Sequence, residues 1–316
     1  MLHRLGTERD LDDPALGAPG SGLLAVGGPA FDGTTLFAAL APSAPTSAAS
    51  SGSATTAPEP ASLAPAAVFR GTRSACGAFR SLRFEPLRET AGEATAVADE
   101  WSSSPGAATR GDAETLTGVA ASETAFKRRA PGRRALHLAT HGFFLRRDCP
   151  STSASKSPAA RGADTVPLDA IENPLLLSGL AFAGANHRDA AGAAEDDGVL
   201  TAEEIAALDL SGLDWAVLSA CETGVGDVLA GEGVFGLQRA FQVAGARTVV
   251  TSLWAVDDAA TRAWMDQLYR ARLVLGRPTA DAVRDASLAL LRERRRTGRG
   301  SHPFYWAGFV AAGDWR

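Results

Sequence analysis

Three nearly uninterrupted apolar runs of strand length constrain this chain more than any other feature. They are "RRALHLATHGFF" (Arg133 to Phe144), "LDWAVLSAC" (Leu213 to Cys221) and "ARTVVTSLW" (Ala246 to Trp254). A strand with one wet face alternates apolar and polar residues, so runs without alternation suit a parallel sheet covered on both faces. Helix signatures separate and follow them. Thr201 and Glu204 have the spacing of a capping box ahead of "IAAL", and Val234, Leu237, Ala240 and Phe241 recur at helical spacing within Glu232 to Ala244. The stretch "AATRAWMDQLYRARL" follows Asp257 and Asp258 as another helix. A last helix opens at Pro278 and Thr279, with Val283, Ala286, Leu290 and Leu291 on one face. The terminal "HPFYWAGFVAAGDW" reads as a loop and an edge strand. This alternation predicts an α/β/α sandwich with a mainly parallel central sheet.

The first half is less regular. "GLLAVGGPAF", Gly22 to Phe31, is a short apolar run bounded by glycine and proline, and reads as a buried strand entering a turn. From Ala38 to Ala67 only Leu40, Gly52, Glu59 and Leu63 interrupt Ala, Ser, Pro and Thr, a composition that cannot bury enough apolar surface to offset the entropy of ordering. A helix centred on Ala91 to Trp101 and a strand followed by a helix in "ETLTGVAASETAFKRRAPG" are expected next. The expected organisation is therefore an N-terminal part with the first strand at 1–37, a flexible insertion at 38–67, and the main body of the domain at 68–316.

Composition excludes some partners. With 31 basic and 36 acidic residues in 316, the chain lacks the clustered positive charge that phosphate-backbone binding requires, so nucleic acid is not expected as a partner. The "RERRRTGR" arginines fit a helix C-terminus. The N-terminus "MLHRLGTERDLDDP" is charged where a secretory signal would be apolar, and no segment approaches 18 uninterrupted apolar residues. A cytoplasmic protein with no membrane partner is expected. Cys76, Cys149 and Cys221 are an odd number at irregular spacing, which fits neither a disulfide framework nor a zinc site. No cofactor is expected, although the acidic loop "AAEDDG" leaves calcium open. The loop "TGVGDVLAGEG" lacks the lysine of a phosphate-binding loop and reads as a mobile loop instead.

Open α/β sheets put their ligand sites beyond the carboxyl ends of the strands, and two reactive side chains fall there. His141 follows "ALHLAT" and precedes Gly142; Cys221 follows "WAVLSA". If the two strands are parallel neighbours, an imidazole and a thiol meet at one rim, the arrangement of a cysteine/histidine dyad. The imidazole would favour the thiolate and hand a proton to a leaving amine, while Gly142 would let a backbone N–H approach a developing oxyanion. The plainer reading of Cys221 is an inert thiol packed at a strand end. His137 lies inside its strand and is expected to be a hydrogen-bonded core histidine.

Residues across the chain carry a resemblance that favours the dyad. "LHLATHGFF", "NPLLLSGLAFAGAN", the stretch from "DDGVLTAEEI" through "LSACETG" to "TSLWAVDDAAT", and "HPFYWAGFV" resemble the CHAT domain, a bacterial branch of the caspase-like cysteine peptidases related to separase. "LLAVGGPAFDG" and "FEPLRETAGEA" resemble its N-terminal portion, and the low-complexity segment departs from the pattern. The resemblance implies a caspase-like fold and hydrolysis of a protein or peptide substrate, with Cys221 as nucleophile and His141 as acid/base. It also implies a substrate pocket for Arg or Lys that Asp257 and Asp258 could line, against which stands the ordinary helix-capping role of Asp258. Relatives carry tetratricopeptide repeats that bind an activating partner, and no 34-residue period occurs within this chain. Such repeats are expected either on a longer form of this protein or on a separate regulatory partner. The alternative is a caspase-like scaffold with an idle dyad.

Overall fold

The computed structural model describes residues 18–34, 79, 81–145, 174–192, 195–219, 232–254, 256 and 258–314. The expected insertion at 38–67, all three cysteines and Asp257 lie outside the described residues.

Six strands form the central sheet: β1 (Leu23–Pro29), β2 (Ala113–Gly118), β3 (Ala135–Ala139), β7 (Trp215–Leu218), β8 (Thr248–Ser252) and β9 (Phe309–Gly313). Their order is β2-β1-β3-β7-β8-β9. Every pairing is parallel except that of β9, which runs antiparallel along β8 as the expected edge strand. The inner strands β1, β3, β7 and β8 are buried nearly throughout, which is why their sequences show no alternation.

Each inner strand nevertheless feeds two separate cores, because successive side chains leave opposite faces of the sheet. On one face Leu24, Val26, Leu136, Leu138, Ala216, Leu218 and Val249 pack with Phe126, Ile205, Leu237 and Phe241. These come from helices α3 (Glu123–Arg129), α4 (Ala202–Ala206) and α5 (Glu232–Ala244). On the other face Leu23, Ala25, Ala135, Trp215, Val217 and Val250 meet Trp101, Trp264, Leu268, Tyr269, Ala286 and Leu290. Those belong to α1 (Thr90–Ser103), α6 (Asp258–Leu273) and α7 (Thr279–Arg296); a four-residue turn, α2 (Ala107–Arg110), follows α1. Fully burying a Leu, Val or Phe contributes roughly 1.5–3 kcal/mol, so a one-residue slip of β1 or β3 would misdirect a whole set of such side chains. Gly28 lets α1 dock on β1: its φ is +55° and its N–H donates to Thr90 Oγ1 at 2.9 Å.

The sequence expectation for Arg133 to Phe144 needs correcting in one respect, because the run is not one strand. The chain leaves the central sheet after Ala139, turns through Thr140 and His141, and enters β4 (Gly142–Phe144) of a second, antiparallel sheet with β5 (Ser178–Ala181) and β6 (Val199–Thr201). The partner that captures it is β5: Thr140 Oγ1 donates to the Ala181 carbonyl at 2.5 Å, and the Ala181 N–H donates to the His141 carbonyl at 2.9 Å. Gly179 in β5 permits the close packing, since a Cβ there would lie 2.5 Å from the Leu200 carbonyl oxygen and 2.7 Å from the Phe143 ring. A third, smaller core joins this sheet to the rim of the first, built from Phe31, Phe79, Leu82, Phe84, Phe143, Ala181, Ala185 and Val199.

Candidate active site

His141 sits where the two sheets part, just beyond the carboxyl end of β3, and is buried. Its ring lies between two phenylalanines, with centroids 5.2 Å from Phe31 and 5.8 Å from Phe84; the Phe84 ring stacks on it. Its Nε2 is 2.7 Å from the backbone carbonyl oxygen of Glu85. A carbonyl can only accept, so Nε2 carries the proton in the neutral ring and Nδ1 is left as a lone-pair base. Nδ1 is buried with no hydrogen-bond partner among the described residues. Burial pushes the imidazole below its ordinary range, and the Glu85 carbonyl and carboxylate pull it partly back. The ring is thus held neutral, in one tautomer, with one nitrogen free to take a proton.

The remaining sequence candidates divide. Leu138 of β3 pairs with Leu218 of β7 in parallel register; His141 and Cys221 each follow three positions later, and Cys221 itself lies outside the described residues. Gly142 opens β4 opposite Leu180 of β5. Asp258 opens α6 as its first residue. Nothing is described of Asp257.

His137 is the core histidine that the sequence suggests. It is fully buried, its Nδ1 is 3.0 Å from the Tyr269 hydroxyl, and its Nε2 approaches Glu93 Oε1 at 3.1 Å without the alignment of a hydrogen bond. Tyr269, pushed far above the ordinary phenol range by burial and by the Glu93 charge, keeps its proton, and its hydroxyl shares a hydrogen bond with Nδ1.

The acidic loop joins a cluster that the sequence does not suggest. Lys127 Nζ lies 2.6 Å from Glu123, 2.8 Å from Glu204 and 3.0 Å from Asp196. Burial alone would lower the Lys127 ammonium, but the Glu123 and Glu204 charges outweigh it and hold it above its ordinary value. Glu123 is pushed well up, by burial and by the neighbouring Glu204, so three carboxylates around one ammonium favour a retained proton. Their oxygens are close enough together to hold a metal ion, but the ammonium already supplies the cation there. A cleft of about 450 Å³ between α1 and α6, lined by Val97, Glu100, Met265, Asp266 and Arg270, belongs to a different layer from His141.

A comparison with protein-family models matches the CHAT domain over residues 8–314. The chain belongs to the CHAT domain family. The mainly parallel six-stranded sheet with helices on both faces is the sandwich that a caspase-like member of this family requires. No curated protein matches the chain. Among the described residues, no helix of this CHAT domain is long and apolar enough to cross a membrane.

Three contributors to the His141 site escape a reading of the sequence. Phe31 and Phe84 look like ordinary core residues, and the group facing Nε2 is a backbone carbonyl, which carries no residue signature at all. Their only trace is that "GGPAFDG" and "RFEPL" flank the low-complexity stretch, one on each side.

Proposed function

We propose that this CHAT domain is a cysteine endopeptidase in which Cys221 is the nucleophile and His141 the acid/base. The observation that carries the reading is the state of His141: a buried, neutral imidazole whose Nε2 proton is committed to Glu85, at the end of a strand that runs parallel to and in register with the strand leading to Cys221. In this mechanism His141 Nδ1 takes the thiol proton and the thiolate attacks the peptide carbonyl carbon. The oxyanion that forms is met by backbone N–H groups, Gly142 being the proposed one nearest in the chain. Collapse breaks the C–N bond while imidazolium delivers its proton to the leaving amine, giving a thioester. His141 then draws a proton from water, which attacks the thioester and releases the acid and the thiol.

On the same reading Asp257 and Asp258 favour Arg or Lys beside the cleaved bond, and a partner bearing tetratricopeptide repeats raises an otherwise slow turnover. The test is mass-spectrometric identification of new protein termini generated by the wild type and by Cys221→Ala. Termini that depend on Cys221, enriched after basic residues, are expected; equal cleavage by Cys221→Ala sinks the mechanism. An idle scaffold would instead leave Cys221 unlabelled by an electrophilic peptide probe at neutral pH.

A further inference from the structure

The two phenylalanines and the carbonyl that fix His141 are themselves fixed by one side chain. Asn186 lies in the 3-10 turn Ala185–Ala190, which follows β5. Its Oδ1 accepts from the Phe84 N–H at 2.9 Å, and its Nδ2 donates to the Phe84 carbonyl at 2.9 Å. The same Nδ2 donates to Asp32 Oδ1 at 2.9 Å, and the Asn186 backbone N–H donates to the Phe31 carbonyl at 3.0 Å. A primary amide is the one neutral side chain that offers an acceptor and two donors in a plane, so it serves both backbone groups of Phe84 as a neighbouring strand would. Two positions on, the Arg188 guanidinium donates to the carbonyls of Phe79 at 2.7 Å and Leu82 at 3.0 Å and lies over the Phe79 ring. The segment ending at Glu85 is held at both ends by this one turn.

We infer that Asn186 is a positioning residue for His141: it sets the places of Phe31, Phe84 and the Glu85 carbonyl, and so the ring orientation and tautomer. The part of this that concerns turnover rests on the peptidase reading; the part that concerns the ring does not. A single turn thereby couples both flanks of the 35–78 stretch to the imidazole.

The experiment is 15N NMR of the His141 ring in the wild type, Asn186→Ala and Asn186→Asp, with Leu268→Ala as a destabilised control from the opposite layer of the fold. The wild type should show a single tautomer protonated at Nε2, and both Asn186 variants a mixture of the two, with the control unchanged. Asn186→Asp is nearly isosteric and keeps the acceptor for the Phe84 N–H while losing the donor to its carbonyl, so it answers the question if Asn186→Ala fails to fold. With a peptide substrate, kcat should fall roughly 10- to 100-fold with KM little moved, the mark of a misplaced acid/base. An unchanged His141 tautomer in the folded Asn186 variants overturns the inference, even in an active enzyme. An altered tautomer in a protein whose wild type cleaves nothing upholds the inference and removes the peptidase reading.

Discussion

The hydroxyl of Tyr269 lies 3.0 Å from Nδ1 of His137, on the strand that leads to His141, yet on the sealed side of the sheet. Because both groups are buried, Tyr269→Phe strands an imidazole nitrogen that no water reaches. We expect a loss of about 1–3 kcal/mol, read as a lower urea midpoint, with the His141 tautomer unaffected. A matching change at His141 would mean that the two histidines are coupled through β3.

Acid should weaken the fold through His141. In the unfolded chain the imidazole titrates near 6.5, whereas in the fold burial lowers it. Between those values the unfolded chain binds more protons, so the contribution is fully present above about 6.5 and is lost as pH falls through the folded value. Denaturant midpoints measured across this range should decline in the wild type and decline less in His141→Gln. The acid limb of any peptidase activity should also lie below the ordinary imidazole range.

Lys127→Met removes the ammonium that, among the described residues, meets three converging carboxylates. Carboxylates that have lost their shared ammonium then repel one another, and a loss of about 3–5 kcal/mol is expected, visible as a large drop in Tm. Added calcium restoring that Tm would show that the oxygens accept a metal once the lysine is gone; a Tm equal to the wild type would contradict the charge argument.

Gly179→Ala introduces a Cβ against the Leu200 carbonyl and the Phe143 ring. Overpacking of this kind costs about 1–3 kcal/mol, and here the displaced strand is the one that holds the His141 carbonyl. Thermal denaturation should register the loss, and a variant as stable as the wild type would show that β4 and β5 yield at little cost.

The inner strands of the large sheet were legible because burial on both faces removes alternation, leaving "LLAV", "ALHLA", "WAVL" and "TVVTS" as plain apolar runs. The second sheet was not, because its strands are three or four residues long and lie within a longer apolar passage or beside glycines, where periodicity has no length to express itself. Lys127 and Glu123 are one helical turn apart and read as a surface pair; burial comes from Asp196 and Glu204, which are distant in sequence. The strand-end position of His141 was readable, whereas the carbonyl that selects its tautomer was not. Asn186 in "AFAGAN" looks like any turn asparagine until the distant segment it holds is known.

Phe31 and Phe84 also set a topological boundary condition. They are remote in sequence but meet at one ring, so they close a chain loop whose entropic cost rises only with the logarithm of its length, by about 0.6 kcal/mol for each doubling. Residues can be gained or lost between them at almost no thermodynamic penalty to the clasp itself. Apart from Asp32, Phe79 and Leu82, which Asn186 and Arg188 hold, that stretch of sequence is consequently free to diverge in length and composition while the geometry around the imidazole stays constant.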